Sequence, residues 1–353
     1  MRVHLFADPA LAERPGSLQA QLYGTLAALR ALGPTNGIEA ALAAGPGGRA
    51  AACDVLHVFG TGAVEGAIDA ARAHDIPVVL SPRLSPDWSR SNGSRARVAD
   101  RVLGNRSAHD IDSAYAQVRR TLNAARLVLA GCEAERKAIC EAFLLDAGKV
   151  RVAPNGVAER FFNADPTLFR ERARIAGRFA LMVGQVSPYA NQLGVARALA
   201  KLALPLVVIG EARERDAAYL RELRAQRTVT CAGPFAHDDR MLASAYAAAS
   251  VLVLARRVAS MPMALAEALA AGTPAVGCAG LAPFAEGAQA ALRQVGCDDP
   301  CGLQQAVSDL LEVPPPRDAV SALVRPLSWQ RVAPQLAQCY RCACEAPGQV
   351  SES

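Results

Sequence analysis

FALMVGQVSPYANQLGVARALAKLALPLVVIG, residues 179–210, decides the architecture. Its two ends, FALMVG (179–184) and PLVVIG (205–210), are short apolar runs with no polar face. Between them lies an alanine- and leucine-rich stretch long enough for a helix. A strand that is apolar on both sides needs cover on both sides, and a parallel sheet flanked by helices supplies it. The stretch therefore predicts a βαβ unit with a right-handed crossover.

The same alternation extends in both directions. TVTC (228–231), SVLVLA (250–255) and PAVGC (274–278) continue the series. RVHLF (2–6), DVLHVF (54–59), PVVLS (77–81), RLVLAG (126–131) and VRVA (150–153) form an earlier one. The pattern pauses over 158–178, where AERFFNADP and an arginine-rich segment read as a linker. The expectation is an α/β protein of two Rossmann-like parallel-sheet domains, residues 1–165 and 170–325. The triplet PPP at 314–316 ends the last unit, and one further helix is expected to about residue 345. Open α/β sheets bind ligands beyond the carboxyl ends of their strands, so the expected site is the cleft between the domains, on loops that follow strands.

Composition narrows the class. The 353 residues are 52% hydrophobic but only 5% aromatic, and alanine inflates the first figure. No uncharged apolar run reaches the ~18 residues of a membrane-spanning helix, and MRVHLFADP meets Asp8 before a signal-like core can form. A soluble, cytoplasmic protein is expected. Net charge is +5, and all basic residues except Lys137, Lys149 and Lys201 are arginine. Nucleic-acid binding would need clustered charge with stacking aromatics, so no nucleic-acid partner is expected. The densest basic stretch, Arg83 to Arg106, reads as a solvated face, with an anionic acceptor or a membrane surface as the alternative. The ten cysteines predict reduced thiols, with Cys53, Cys231 and Cys278 as small core residues. The clusters Cys297/Cys301 and Cys339/Cys342/Cys344 lack metal-ligand spacing, so no metal is expected.

Gly60-Thr61-Gly62 with Gly66 loosely resembles a dinucleotide fingerprint. It follows the second strand run rather than the first, and no acidic residue ends the next run to hold a ribose. A helix-opening turn is the simpler reading, and a nicotinamide cofactor is not expected. His57 lies within a strand run and reads as a packed core residue.

VRVAPNGVAERFF (150–162), FALMVGQVSPYANQ (179–192) and VLVLARRVASMPMALAEALAAGTPAV (251–276) occur in that order. With them the chain closely resembles glycosyltransferase family 4, a retaining group of GT-B fold. Pro154-Asn155-Gly156-Val157 matches the family's PNGVD segment, and Pro15-Gly16-Ser17 echoes its N-terminal glycine loop. LSPRLSPDW (80–88) looks like the SPRGML-x-PW segment of a polysaccharide-building subset, and SWQRVAPQLAQCY (328–340) is similar to the closing helix. The resemblance implies two Rossmann-like domains facing across a cleft, with a helix over 328–345 crossing back to the N-terminal domain. It also implies metal-independent transfer of a sugar from a UDP- or GDP-type donor, held by the C-terminal domain, to an acceptor on the N-terminal domain. The donor is a substrate, so no cofactor is implied. Amides at helix starts and cationic side chains suit the charge that develops on a departing diphosphate.

Carried over residue by residue, the resemblance assigns Gly16, Gly184, Gln185, Gly210, Pro262, Met263 and Glu267 to the donor. Glu267 is the second acid of a Glu-x7-Glu pair and would hold the ribose hydroxyls. An exposed helix glutamate is the plain alternative, but Met263 and Ala271, four residues away on either side, offer no cation. Three donor groups are missing: Gln185 stands at the family's arginine, Ala190 at its lysine and Ala259 at its first glutamate. Arg256 and Arg257 are candidate replacements, with a solvent-facing pair as the alternative. On the acceptor side, Arg83 fits the SPR position and would orient an acceptor oxygen or phosphate, or cap the loop. His109 is a second acceptor-side candidate. Glu286 is placed near the donor or at a helix start. The expected function is glycosyl transfer to a glycan or lipid-linked acceptor in bacterial surface-polysaccharide or glycolipid assembly, with peripheral contact at the inner membrane face. The alternative is a catalytically degraded GT-B protein that binds glycans or scaffolds a partner.

Overall fold

The computed structural model describes residues 1–8, 16–43, 53–82, 84, 88, 90–104, 114–256, 261–281 and 285–345. Every strand run predicted from the sequence forms a strand, and every pairing is parallel. The first sheet has strands β1 Arg2–Ala7, β2 Glu39–Leu42, β3 Val55–Phe59, β4 Val78–Ser81, β5 Leu127–Ala130 and β6 Val150–Val152, in the order β2-β1-β3-β4-β5-β6. The second has β7 Ala180–Val183, β8 Leu206–Ile209, β9 Val229–Gly233, β10 Val251–Leu254, β11 Ala275–Cys278 and β12 Leu292–Val295, in the order β12-β11-β10-β7-β8-β9.

The chain divides into two units. One holds Leu18–Gly156, the N-terminal strand and the helix Trp329–Cys344; the other holds Val157–Ser328. In the first, Leu336, Ala337, Cys339, Tyr340 and Ala343 of the terminal helix join the core with Val3, Leu5, Val55 and Val79. Among the described residues no helix is long and apolar enough to cross a membrane.

Three expectations are corrected. First, β2 and β12 have no counterpart in the predicted runs. Both are edge strands, half-covered, and their sequences EAAL and LRQV lack the apolar run that a central strand requires.

Second, the segment 158–178 is folded structure rather than linker. It forms the helices Glu159–Phe162 and Thr167–Ala173, and the second unit begins at Val157. Phe161, Phe169 and Phe179 are fully buried in that unit's core, each contributing roughly 1.5–3 kcal/mol of apolar burial. Buried Ser244 secures the segment, accepting from the Phe169 amide at 2.9 Å and donating to the Asp165 carbonyl at 2.6 Å.

Third, Cys278 is not a free core thiol. It is disulfide-bonded to Cys297. Adjacent parallel strands bring the two together: Cys278 ends β11 opposite Val295 of β12, and Cys297 follows two residues later. Cys301 stays free and exposed.

The basic stretch is partly consumed inside the first unit. Arg97, on the helix Arg90–Gly104, donates to the Ala142 carbonyl at 2.6 Å and to Ser94 at 2.7 Å. Gly93 on the same helix lies so close to Ala142 that a Cβ would overlap its backbone. Trp88 packs on Phe143, with ring centroids 4.9 Å apart, so the tryptophan of LSPRLSPDW is a core anchor.

Candidate functional site

The second sheet reverses direction between β7 and β10: the chain runs outward through β8 and β9, then returns to start β10 on the other side of β7. Loops leaving the carboxyl ends at such a switch point diverge and leave room for a ligand. Gly184 follows β7 and Arg256 lies two residues beyond β10, so both occupy it.

Gly184 adopts φ +139, and a Cβ there would meet nothing within 4 Å. Its glycine is set by backbone conformation, and one face of the turn is left open. Gly210 serves a different purpose, since a Cβ on it would overlap the Gly184 carbonyl oxygen. The two strand ends close on each other only because residue 210 has no side chain. The loop from Gly184 to Asn191 is fastened by Gln192, which is almost fully buried. Its amide nitrogen donates to the Gln185 carbonyl at 3.0 Å, and its carbonyl accepts from the Ser187 amide at 3.4 Å.

The helix Met263–Ala270 begins after Pro262 with no side chain capping its amides. Uncapped first-turn amides and the helix dipole both favour an anion there. Glu267 lies one turn further on and is 4% exposed, so it is not the exposed helix glutamate of the plain reading. Its Oε1 is 2.7 Å from Nε2 of His237, in the loop after β9. On the far side of that ring, Arg160 of the helix Glu159–Phe162 donates to Nδ1 at 3.0 Å and to the His237 carbonyl at 2.9 Å. The guanidinium also lies 4.8 Å from the centroid of Phe161, and Phe161 lies 5.7 Å from the His237 ring. Burial pulls the Arg160 pKa down, while the charges of Glu267 and Asp238 oppose the shift. Buried Tyr246 is driven well above its usual value, first by burial and then by Glu267, so it stays a neutral phenol.

Sequence reasoning found Glu267 but neither His237 nor Arg160. These residues are 77 positions apart in the chain, and only the folding of β9 and the 158–178 segment onto one core joins them. The sole signal was local: a polar AHDD loop and an arginine directly behind PNGVAE.

A family model described as "Glycosyl transferase 4-like domain" matches residues 2–156, and one described as "Glycosyl transferases group 1" matches residues 177–313. The chain is a family-4-type glycosyltransferase. HepE of Anabaena, solved with UDP, is 16% identical with a TM-score of 0.67, over 97% of this chain and 100% of that one. A glycosyltransferase of Rickettsia africae is 12% identical with a TM-score of 0.70, over 98% of each chain. Sucrose-phosphate synthase of Thermosynechococcus elongatus is 17% identical with a TM-score of 0.67, over 97% and 98%. At these identities the likeness is one of fold, and that fold is GT-B. No curated protein matches the sequence.

In this glycosyltransferase, two of the positions expected to depart from the family pattern, Gln185 and Ala190, lie on the loop after β7. Gln185, expected at the family's arginine position, has its amide 3.5 Å from the Asp216 carboxylate. Ala190 closes a short 3-10 turn, Pro188–Ala190, ahead of the helix Gln192–Ala200. Arg256 is exposed at the switch point. Arg257 and Ala259 lie outside the described residues, as do Arg83 and His109. Gly16 is exposed just before the helix Ser17–Asn36, with open space where a Cβ would be. Glu286 is exposed in a turn before Gly287 and does not start an α-helix. His57 is a core residue, 1% exposed and bonded to Tyr340 and Ser81. Gly156 of the PNGV motif sits against Trp329, whose indole a Cβ would overlap, so this glycine serves packing.

Proposed function

We propose that the second unit binds a nucleoside-diphosphate sugar at the β7/β10 switch point, and that the enzyme transfers the sugar with retention and without a metal. The observation that carries this is Glu267, a buried carboxylate on the helix after β10, held by His237. The diphosphate would lie at the Gly184 turn and the uncapped start of the helix Met263–Ala270, with Glu267 on the ribose. Exposed Arg256 supplies positive charge where Gln185 and Ala190 supply none. The acceptor is a glycan or lipid-linked hydroxyl taken up by the first unit, in surface-polysaccharide or glycolipid assembly at the cytoplasmic face of the membrane. In the reaction the bond from anomeric carbon to β-phosphate oxygen breaks, and both electrons leave with the diphosphate. The acceptor oxygen bonds to the anomeric carbon, and its proton passes to the departing phosphate. Positioning would then carry much of the catalysis.

The test is calorimetry and thermal shift with UDP, GDP, ADP and CMP and their common sugars. One nucleotide at about 100 times its dissociation constant should stabilise the fold by about 2.7 kcal/mol. Glu267→Ala should abolish most of that gain, and Arg256→Ala should weaken diphosphates more than the nucleoside. Silence across the panel from folded protein would favour a glycan-binding or scaffolding role.

A further inference from the structure

The interaction of Arg160, His237 and Glu267 has a definite proton polarity. A guanidinium can only donate, so its 3.0 Å contact makes Nδ1 of His237 an acceptor. The proton of the neutral ring must then reside on Nε2, which donates to Glu267 Oε1 at 2.7 Å. Arg160 also holds the His237 carbonyl, so both the backbone and the ring of this loop residue are fixed by one side chain. Phe161 lies beside the ring and Tyr246 lies edge-on to Phe161, 5.8 Å away by centroids. The imidazole is thus oriented through contacts on its ring, its backbone and both nitrogens. A carboxylate has about four acceptor positions, and this arrangement occupies one of them on Oε1.

We propose that His237 is a positioning residue for Glu267, fixed by Arg160 in the Nε2–H tautomer so that the carboxylate meets the donor's ribose hydroxyls in one orientation. The inference rests on the donor-site reading above and adds the means by which that site distinguishes ribose. A glutamate carboxylate rotates about its last torsion, and a strong donor at one oxygen removes that freedom. His237 then contributes to ribose recognition without touching the nucleotide.

The experiment compares UDP and GDP with their 2′-deoxy counterparts by calorimetry, on wild type, Glu267→Ala, His237→Leu, His237→Gln and the double variant Glu267→Ala/His237→Leu. A hydrogen bond to a charged group corresponds to roughly a 10- to 100-fold preference for the ribonucleotide in wild type. His237→Leu should collapse that preference to the level of Glu267→Ala, and the double variant should lose nothing further. His237→Gln, whose amide can donate at the Nε2 position and accept from Arg160, should restore most of it. The wild-type ring gives a second reading that needs no variant to fold: nitrogen-15 NMR should show a protonated Nε2 and an unprotonated Nδ1. A His237→Leu protein that binds both nucleotides more weakly but keeps the ribose preference would overturn the proposal, as would the opposite tautomer. Wild type that binds neither ribonucleotide would instead overturn the donor-site reading, and the proposal with it.

Discussion

At the scale of single residues, two histidines in similar company do opposite things. His237 lies in the loop after β9, partly open, between Arg160 and Glu267. His57 sits inside the first unit, with Tyr340 at 2.8 Å on Nδ1 and Ser81 at 2.9 Å on Nε2. Complete burial pulls the His57 pKa down to about 3. An unfolded chain takes up that proton near pH ~6.5, whereas the folded one does not until far lower. The unfolded state therefore binds more protons in between, and stability falls as pH falls through that window. Each pH unit below ~6.5 should cost about 1.4 kcal/mol from this residue alone. Urea unfolding of wild type between about pH 6.5 and about pH 4.5 should show that slope. A His57→Gln variant, less stable at neutral pH, should lose less over the same range; equal slopes would mean that His57 is protonated in the folded state.

At the scale of elements, strand ends carry both the candidate site and its bracing. Gly210 permits β7 and β8 to close at their carboxyl ends, and Gln192 fastens the loop that follows β7. On the other side of the switch point, Gln294 of β12 accepts from the Gly280 and Leu281 amides, each at 3.1 Å. The same loop is anchored by the Cys278–Cys297 bond, which spans 19 positions. Closing a loop of that length restricts the unfolded chain by about 3 kcal/mol in the chain-entropy account. Cys297→Ser should lower unfolding stability by about that amount, and a thiol reductant should lower wild type equally while leaving the variant unchanged. A variant as stable as wild type under oxidising conditions would show that strand pairing alone holds β11 to β12.

At the scale of the whole molecule, the chain's last helix belongs to the unit in which the chain began. Trp329 starts that helix at Gly156, where the first unit's main segment ends, and its indole also lies 3.1 Å from a Cβ position on Gly24. Two glycines thus make space for one tryptophan. Gly156→Ala should destabilise the first unit by about 1–3 kcal/mol through overpacking. In a Trp329→Leu background the same substitution should cost much less, which a double-mutant cycle on denaturant unfolding would measure. Full additivity would mean that Gly156 is needed for backbone conformation rather than for the indole.

Amino-acid order alone is enough for the class of the fold, because strands covered on both faces must be apolar throughout. β3, β4, β8 and β10, each buried along its whole length, were plain in the amino-acid order. It also marked Glu267, through the resemblance of AEALAAGTP to the glycosyltransferase family-4 pattern, with no cation one turn away to support the plain alternative. Edge strands β2 and β12 escaped, since half-exposed strands carry no such run. The 158–178 segment escaped because its order comes from three phenylalanines packing on helices distant in sequence. What holds Glu267, which glycines leave open space and which face a tryptophan, and which cysteines pair became clear only from the folded chain. Local pattern records what a residue must be buried from. It does not record what it is buried against, because that partner is chosen by chain topology across dozens to hundreds of positions.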